Sequence, residues 1–489
     1  MSKLSNRAFL LGLGLACLAL SFIGYRALLG LPLLGFDSYP LIAAARVQSF
    51  GDFIGLFTRE LMDGRYTDGH FYRPVTHAAF AFDYALHGLG PRGYHITDLF
   101  ILAACGTAAG ALALRLFGAS ARLTAGVAAL VMLVHPLVME LIPVAPRRAD
   151  SLALLFSMWA LACTPRPGEN GRAAWTFLLA ALAVGAKETG ALAPFLIFAL
   201  VFVEASEGRM KRALRCAAPA GAGLLLLLVL RAFVLGGMGG HAESGRLGAG
   251  ALAALVPEYV LRVLYPQPWA GAEQGLIYAV LALLALLLAG ALLVGWRQAE
   301  QRSGLLFIGA WTLALLAISL LSGRVHDWYG FAFLAPYGLL LGVLLSAGWQ
   351  AFRAHRSPVA IFLVGAPLLL LGSHLANSHI VRPYGNLLQA GELATETLSR
   401  FDRLLNKVTP GGGSLFDSWV PVLPPHSDHS EVRNLFLYGA YSMQAYADLQ
   451  GLDFPLQVSV YQGSNPSPEP GTHKIHLVLG ARPSWIVVR

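Results

Sequence analysis

The stretch RSGLLFIGAWTLALLAISLLSGR, residues 302–324, carries no charged side chain between its two terminal arginines. Two further runs of the same kind follow, between Asp327 and Arg353 and between Arg356 and Arg382. Each run is longer than the roughly 18 apolar residues that an α-helix needs to cross about 30 Å of hydrocarbon. These runs predict membrane-spanning helices, and they decide the fold class.

The composition of the whole chain also indicates a membrane protein. Of the 489 residues, 56% are hydrophobic and 13% are charged, and the mean hydropathy is +0.60. That share of charge is about half that of an ordinary soluble domain. We therefore predict a polytopic all-α membrane protein with about eleven transmembrane helices. The expected helices lie near residues 8–29, 94–117, 119–139, 147–164, 172–186, 189–204, 212–235, 276–296, 304–322, 329–350 and 357–377.

Basic residues mark one side of the predicted membrane. They cluster at alternate helix ends, from Lys3 and Arg7 at the start to Arg353 and Arg356 before the last helix. The positive-inside rule makes that side cytoplasmic, and an odd number of crossings then places the C-terminal segment outside. The net charge of +8 is thus a topology signal and predicts no nucleic-acid partner. We expect a protein of a bacterial inner membrane with a cytoplasmic N-terminus and a periplasmic C-terminal domain.

The first apolar run, near residues 8–29, follows two basic residues as the core of a signal peptide would. A signal-peptide core typically has about 7 to 15 apolar residues, and this run is longer. We therefore expect an uncleaved first helix.

The segments outside the predicted bilayer have mixed polarity. In the first outer loop, residues 39–50 and 74–87 have helical spacing with charged residues among apolar ones, as does the later segment 252–264. This pattern is typical of interfacial helices. Beyond the last crossing, we predict helices at 391–407 and near 431–449, and strands near 456–461 and 474–479. The expected organisation is a transmembrane domain at 1–380 and a small extramembrane α/β domain at 381–489.

Asp37 follows the first predicted helix directly. A carboxylate at the mouth of a helix bundle can accept a proton from an incoming hydroxyl. The alternative is a structural one, because Asp and Ser both favour helix N-cap positions and a helix is predicted from Tyr39.

Arg73 lies in the segment His70-Phe71-Tyr72-Arg73-Pro74-Val75, where an interfacial helix is predicted to begin. Its planar guanidinium carries donors in a geometry that suits phosphate. The commoner role of such an arginine is to extend along apolar surface toward the membrane interface.

A short outer loop between the third and fourth helices gathers several polar side chains. His135 and Glu140 end one helix, and Arg148 and Asp150 begin the next. This set is suited to a sugar or a divalent cation. Alternatively, Arg148 pairs with Asp150 or with Glu140.

Two further outer turns carry ionisable groups. Lys187 and Glu188 interrupt two apolar runs, and Arg324, His326 and Asp327 precede the last helix pair. Both cations are placed for a lipid phosphate, although a turn such as 187–188 can serve only to solvate a hairpin. The neighbouring Trp and Tyr at 328 and 329 are typical of the aromatic belt at a membrane interface. The chain contains no Walker sequence, HExxH or paired CxxC, which argues against ATP-driven transport.

Taken in chain order, these segments resemble a GT-C class glycosyltransferase, a polytopic enzyme that uses polyprenyl-phosphate-linked sugars. The resemblance is to the transmembrane O-mannosyltransferases of animals that carry a TPR tail, and to their bacterial relatives. The matching stretches are Tyr72-Arg73-Pro74-Val75, Gly93-Tyr94-His95, His135-Pro136 with Glu140, Arg148-Ala149-Asp150, Ala186-Lys187-Glu188, and Trp328-Tyr329 with Pro336.

The resemblance implies a function and a catalytic position for Asp37, and the roles of the other residues are a hypothesis from their placement. Asp37 takes the catalytic acidic position and acts as a base. A sugar then moves from a polyprenyl phosphate to a hydroxyl of a glycan, lipid or protein acceptor, with inversion, on the outer face. The donor phosphate is expected at Arg73, Lys187 and Arg324. The sugar or acceptor pocket is expected to use Tyr72, His135, Glu140, Arg148, Asp150, Glu188, His326 and Asp327.

The chain also departs from the family pattern. The family often has two adjacent acids where this chain has Asp37-Ser38, which leaves a divalent metal cofactor open. No TPR-like array follows the last helix, which leaves the acceptor open. Two alternative functions remain, namely a ligase or polymerase acting on polyprenyl diphosphate-linked glycans, and a non-catalytic transporter of lipid-linked saccharides. A transporter predicts polar residues through the depth of broken helices, whereas here the charges cluster at the outer helix ends.

Overall fold

The computed structural model describes residues 5–66, 69–165, 173–241, 249–264, 274–322, 326–355, 358–378, 380, 385–407, 417–419, 440–451, 458–462, 473–479 and 482–488. The helices are α1 (Asn6–Gly24), α2 (Ser38–Ala44), α3 (Phe50–Gly55), α4 (Pro74–His87), α5 (Pro91–Phe117), α6 (Arg122–Val134), α7 (Arg148–Cys163), α8 (Ala173–Ala186), α9 (Ala193–Glu204), α10 (Arg209–Leu235), α11 (Ala249–Leu264), α12 (Gln274–Arg297), α13 (Ala299–Leu321), α14 (Leu334–His355), α15 (Pro358–Asn377), α16 (Gly385–Leu405) and α17 (Ala440–Leu449). Short 3₁₀ helices span Arg26–Gly30, Leu61–Gly64, Pro136–Glu140, Ala145–Arg147, Glu188–Leu192 and Asp327–Phe333. The strands are β1 (Gly69–His70), β2 (Gly240–His241), β3 (Asp417–Trp419), β4 (Val458–Gln462), β5 (His473–Leu479) and β6 (Arg482–Val488).

The chain is an integral membrane protein by the length and polarity of its helices. Within the described ranges, 6 helical segments are long and apolar enough to cross a bilayer, namely Asn6–Gly24, Pro91–Phe117, Arg209–Leu235, Glu300–Leu321, Trp328–Ala354 and Pro358–Asn377. A helix also occupies each of the other predicted positions. Some of these are short, however: the 12 residues of α9 rise about 18 Å. The count of about eleven crossings therefore stays a prediction.

The residue contacts divide the chain into two compact units. The bundle unit consists of Met1–Arg26, Thr97–Ile142 and Arg147–Pro383. The loop unit consists of Ala27–Ile96, Pro143–Pro146 and Tyr384–Arg489. The first outer loop is thus grouped with the C-terminal segment, which the sequence did not predict. The division into domains at 1–380 and 381–489 stays a prediction.

In the bundle unit, glycines allow α6 and α14 to pack closely. A Cβ on Gly342 would lie 2.8 Å from the carbonyl oxygen of Thr124, and one on Gly338 would lie 3.1 Å from Cα of Ala128. Small residues of this kind let membrane helices approach backbone to backbone. The packing of this helix pair therefore depends on the absence of side chains at two positions of α14.

A buried arginine joins the ends of three helices of the bundle unit. Arg115 donates from its two terminal nitrogens to the two carboxylate oxygens of Glu204, at 2.6 and 2.8 Å. Its Nε donates to the carbonyl of Thr164 at 2.9 Å. Such bidentate, charge-assisted contacts are among the stronger hydrogen bonds in proteins. They connect α5 with the C-terminal ends of α7 and α9.

The loop unit combines short helices with a sheet. The sheet has 4 strands in the order β3-β5-β6-β4, with β3 parallel to β5 and the other neighbours antiparallel. β4 and β5 match the predicted strands, whereas β3 and β6 were not predicted. α16 begins at Gly385, earlier than the predicted start at residue 391. α17 forms the last part of the helix predicted near 431–449, and residues 431–439 lie outside the described ranges.

The prediction of one interfacial helix over residues 39–50 is wrong. α2 ends at Ala44, and α3 begins after a separate N-cap at Ser49. The Ser49 hydroxyl accepts from the Asp52 backbone at 3.1 Å, and the Asp52 carboxylate accepts from the Ser49 backbone at 2.9 Å. This capping box starts a new helix. The other two predicted interfacial helices are present as α4 and α11, and their position at a membrane surface stays a prediction.

Candidate active site

Asp37 occupies the N-cap position of α2, but its carboxylate does not cap the helix. Its backbone carbonyl accepts from Leu41 at 3.0 Å, and its side chain makes no capping hydrogen bond. Oδ1 instead accepts a hydrogen bond from the Tyr441 hydroxyl at 2.7 Å. Both residues belong to the loop unit. The sequence raised helix capping as the alternative role of Asp37, and the side chain does not have that role in the structure.

The turn before Asp37 is held from both sides. Gly35 has a φ of 85°, a left-handed conformation that glycine adopts at little cost. A Cβ at this position would lie 2.8 Å from Cγ1 of Val144. The Ser38 hydroxyl then donates to the carbonyl of Leu34 at 2.7 Å, and Ser38 is buried. The backbone around Asp37 is thus fixed by neighbours on both sides.

Tyr72 and Arg73 lie just before α4 in the loop unit. The Tyr72 hydroxyl donates to the carbonyl of Phe57 at 2.7 Å, and burial raises the pKa of Tyr72. Arg73 is the N-cap residue of α4, and its guanidinium lies 4.8 Å from the centroid of the Phe71 ring. Tyr72 is therefore held by the backbone of the loop, whereas Arg73 presents a cation at the start of a helix.

A buried histidine that the sequence did not single out supports the loop between α3 and α4. His77 is fully buried, and its Nε2 accepts from the Met62 backbone at 3.2 Å. Met62 and Asp63 have φ values of 61° and 51°, a region that costs non-glycine residues about 1 to 3 kcal/mol each. Burial lowers the pKa of His77 to about 4. The imidazole is thus neutral at pH 7 and can accept this hydrogen bond.

The structure does not contain the pairing of Arg148 with Asp150 or Glu140 that the sequence raised as an alternative. In the bundle unit, Arg148 Nε contacts Asp98 Oδ1 at 2.7 Å, and both side chains are buried. Asp150 contacts Lys187 Nζ at 2.5 Å, and Glu140 contacts Arg147 at 3.2 Å. Residues two apart on a helix do not face each other. α7 therefore directs Arg148 and Asp150 to different partners.

Two aromatic rings of the last predicted outer turn contact Arg147 and Lys187, the cations of two of these ion pairs. Arg147 lies 3.9 Å from the centroid of the Trp328 ring, and Lys187 Nζ lies 5.0 Å from that of Tyr329. His326 stacks on Trp328 with a centroid distance of 4.2 Å and an interplanar angle of 8°. Cation–π contacts contribute about 0.5 to 2 kcal/mol each. These rings, predicted as belt residues, also position the cations of the bundle unit.

Two predicted site residues of this turn are not described by the structure. Arg324 lies outside the described ranges, as does the side chain of Asp327. Glu188 is described, and it forms an ion pair with Arg231 at 2.9 Å. Arg231 was not predicted as a partner, because it lies on α10, far along the chain.

A pocket in the bundle unit adjoins the Asp150–Lys187 pair. Its walls include Asp150, Ser157, Thr189, Trp311 and Leu315. Two hydroxyls and a carboxylate thus lie among apolar side chains, in a cavity of about 20 Å³. This volume is enough for a water molecule beside the ion pair.

His135 is fully buried within the bundle unit. Its Nε2 donates to the carbonyl of Val263 at 2.7 Å, and its Nδ1 accepts from the Leu137 backbone at 3.3 Å. Its ring centroid lies 4.3 Å from that of His374. Both ring nitrogens therefore have backbone partners, an arrangement that joins helix ends.

The sequence left open whether the protein uses a divalent metal ion, which would need a group of side chains as ligands. Among the residues that the structure describes, no group of 3 or more His, Cys, Asp or Glu side chains is arranged to hold a metal ion. Dependence on a divalent cation stays a prediction for experiment.

Comparison with known proteins identifies a solved structure of similar fold. No protein-family model and no curated protein sequence matches the chain. Among solved structures, the apo form of ArnT from Cupriavidus metallidurans aligns with 99% of this chain and 98% of its own, at a TM-score of 0.51 and 14% identity. ArnT is a GT-C glycosyltransferase. The chain therefore has the GT-C fold, as the resemblance predicted, and the low identity limits that conclusion to the fold.

Two further structures align less well. ArnT from the same organism bound to undecaprenyl phosphate covers 98% of this chain and 97% of its own, at a TM-score of 0.48 and 14% identity. The archaeal oligosaccharyltransferase AglB from Archaeoglobus fulgidus, in complex with an inhibitory peptide and a dolichol-phosphate, covers 90% of this chain and 64% of its own, at a TM-score of 0.49 and 13% identity. The narrower resemblance to the O-mannosyltransferases stays a prediction.

Proposed function

We propose that this protein is a glycosyltransferase that moves a sugar from a polyprenyl phosphate to a hydroxyl acceptor, which is a glycan, a lipid or a protein. The proposed location is a bacterial inner membrane, with about eleven crossings and the reaction on the periplasmic face. The observation that carries the proposal is the placement of Asp37. It follows the first helix of a GT-C fold and has the position of a helix cap, yet its carboxylate is held by a tyrosine hydroxyl.

In the proposed reaction, Asp37 acts as the general base. It takes the proton of the acceptor hydroxyl while the acceptor oxygen forms a bond to the anomeric carbon. The bond between that carbon and the phosphate oxygen breaks, and the polyprenyl phosphate leaves with the electron pair. Direct displacement inverts the anomeric centre. One carboxylate suffices, because a phosphate monoester leaves without a general acid.

The cations Arg73, Lys187 and Arg324 are proposed to bind the donor phosphate. Positive charge placed where negative charge develops stabilises the transition state. Lys187 is the best described of the three, since it lies beside the pocket and contacts both Asp150 and Tyr329. A phosphate at Lys187 would take over part of the role that the Asp150 carboxylate has in the structure.

The remaining predicted pocket residues divide by their contacts. Asp150 lines the pocket, and His326 belongs to the aromatic cluster. These two are proposed to contact the sugar or the acceptor. Tyr72, His135, Glu140, Arg148 and Glu188 were predicted for the same pocket, and their described contacts to backbone or to arginine support a shaping role. Asp327 keeps its predicted role in the pocket.

The test is sugar transfer by the purified protein in lipid nanodiscs. A panel of polyprenyl monophosphate sugars is offered with candidate acceptors, and free polyprenyl phosphate is measured. Undecaprenyl phosphate is the first carrier to use, because ArnT has been solved with it bound. We expect acceptor-dependent release with the wild type and at least a 100-fold loss with Asp37→Asn, in line with general-base contributions of about 10² to 10⁴.

The matched control is Asp52→Asn, which changes a carboxylate of the same unit that serves as a helix cap. It should retain activity. Repeating the assay with a chelator tests the divalent cation that the sequence left open. A protein that binds these lipids without breaking the sugar–phosphate bond would contradict the proposal and favour a transporter. Transfer of a whole glycan from a diphosphate carrier would favour a ligase or polymerase.

A further inference from the structure

The hydrogen bond from Tyr441 to Asp37 connects the C-terminal segment to the proposed base. The two residues are 404 positions apart in the chain, and the O–O distance is 2.7 Å. Tyr441 lies in the first turn of α17. No motif in the sequence marks this tyrosine, and the predicted site did not include it.

The direction of the Tyr441 hydroxyl is set by packing on its ring. The ring meets Phe36 and Tyr66 edge-on, with centroid distances of 6.2 and 6.3 Å. Phe36 directly precedes Asp37, so the same short segment supplies both the ring contact and the acceptor oxygen. Edge-on aromatic pairs contribute about 0.5 to 1.5 kcal/mol beyond burial of area.

The helix that carries Tyr441 is itself fixed within the loop unit. Tyr446 packs edge-on against Tyr39 at 4.8 Å, and its hydroxyl donates to Asp402 at 2.8 Å. Asp448 forms an ion pair with Arg65 at 2.8 Å. α17 thus contacts the segment after Asp37, the loop before α4 and helix α16. A helix held at three points keeps the Tyr441 hydroxyl in place.

We propose that Tyr441 is a positioning residue for Asp37, and that it holds the carboxylate in the orientation that receives the proton of the acceptor. This inference rests on the proposed function. A hydrogen bond donated to a carboxylate favours its charged form, and bonds to charged groups are shorter and stronger than neutral ones. The C-terminal segment therefore takes part in catalysis through Asp37, in addition to any role in choosing the acceptor.

The test is Tyr441→Phe, which removes the hydroxyl and keeps the ring. A hydrogen bond to a charged group contributes enough that its loss should lower kcat by about 10- to 100-fold. KM for the donor should stay within about twofold, because Tyr441 touches no substrate in this proposal. The acidic limb of the pH–rate profile should move to higher pH, since a carboxylate without this donor is protonated more easily. A residue that only packs would leave the profile unchanged.

The matched control is Tyr446→Phe, which removes a tyrosine–aspartate hydrogen bond from the same helix without touching Asp37. It should keep the wild-type pH profile. Combining Asp37→Asn with Tyr441→Phe should give the residual rate of Asp37→Asn alone, because a positioning residue has no effect once its target is gone. This comparison holds even where Tyr441→Phe lowers the amount of folded protein, since rates are measured per folded molecule.

The outcomes separate the two proposals. If the wild type transfers sugar and Asp37→Asn does not, while Tyr441→Phe has the wild-type kcat and pH profile, the positioning role is wrong and the proposed function stands. If the two variants act additively, Tyr441 works independently of Asp37 and the positioning role is also wrong. If the wild type transfers no sugar from any polyprenyl phosphate donor, the proposed function fails and the positioning role fails with it.

Discussion

The bundle unit and the loop unit differ in how they hold the acids of the candidate site. In the bundle unit, the four acids that the site analysis identified, at positions 98, 140, 150 and 188, each meet an arginine or a lysine. In the loop unit, Asp448 also meets an arginine, but tyrosine hydroxyls donate to Asp37 and Asp402. The ion pairs of the bundle unit connect helices, whereas the hydroxyl of Tyr441 connects the C-terminal segment to a carboxylate of the candidate site.

Among the variants that test this comparison, the largest effect is expected from replacing Arg148. Its side chain is 0% exposed and that of its partner Asp98 is 4% exposed. Arg148→Met should lower the free energy of unfolding by about 3 to 5 kcal/mol, because it leaves a carboxylate buried without its cation. Thermal unfolding in detergent measures the loss. The double variant Arg148→Met with Asp98→Leu should recover most of it, and a loss under about 1 kcal/mol in the single variant would show that the pair is unimportant for assembly.

Lys187 tests whether an ion-paired cation of the bundle unit also serves the reaction. Lys187→Met should lower kcat/KM for the polyprenyl phosphate donor by about 100-fold, the effect typical of losing one donor to a developing negative charge. The matched control is Arg231→Met, which removes another ion-paired cation of the bundle unit that has no proposed role in the reaction. It should weaken transfer much less. Equal kinetic losses in the two variants would instead indicate that Lys187 acts only through its ion pair.

His77 makes the stability of the loop unit depend on pH. Its pKa in the folded protein is about 4, against an ordinary value of 6.5, and burial is the main cause, with Arg59 adding to it and a hydrogen bond to the Leu56 backbone opposing it. The unfolded imidazole binds a proton below pH 6.5, whereas the folded one does so only near pH 4. The stability is therefore complete above pH 6.5 and falls as the pH drops toward 4, by up to about 3 kcal/mol.

Hydrogen exchange measures this dependence. Amides of residues 61–65 should exchange faster at pH 5 than at pH 7, after correction for the intrinsic rate. His77→Gln supplies an acceptor that does not titrate, so the dependence should disappear in that variant. The same dependence in both proteins would assign it to another group.

The smallest effect is expected at the capping box of α3. Ser49→Ala removes the acceptor for the Asp52 backbone and should destabilise this helix by about 1 kcal/mol. Hydrogen exchange within α3 is the measurement, with α4 as the internal reference. Unchanged protection of α3 would show that its apolar contacts, and not its cap, determine where the helix begins.

The helix positions were predictable, and the contacts between helices were not. An apolar run long enough to cross a bilayer is a local property of the chain, and the predicted helix at 74–87 coincides with α4. The error at residues 39–50 has a local cause as well, because the Ser49 and Asp52 pair is a recognisable capping box that helical periodicity overlooks. Strand β3 was missed because its 3 residues carry little periodicity.

The candidate site shows the same division. Asp37 was identified from its place after the first helix, while Tyr441 was not, because the contact depends on how the C-terminal segment folds back on the first loop. The sequence identified a group of polar residues, namely Arg148, Asp150 and Glu140. It did not identify their partners, because each pairing depends on the helix face that the side chain occupies. The partners in the structure are Asp98, Lys187 and Arg147. Residues two apart on α7 point in different directions, which a list of neighbouring charges does not convey.

The sequence by itself determined that this is a membrane protein, where its helices run and which polar residues lie at their ends. The physical reason is that the bilayer acts on each segment separately, and a charged residue in a crossing is costly wherever the chain folds. The tertiary structure alone decided which cation meets which acid, and that a tyrosine of the C-terminal segment reaches Asp37. Such pairings depend on distances of about 3 Å between side chains, and these distances arise only when the helices pack.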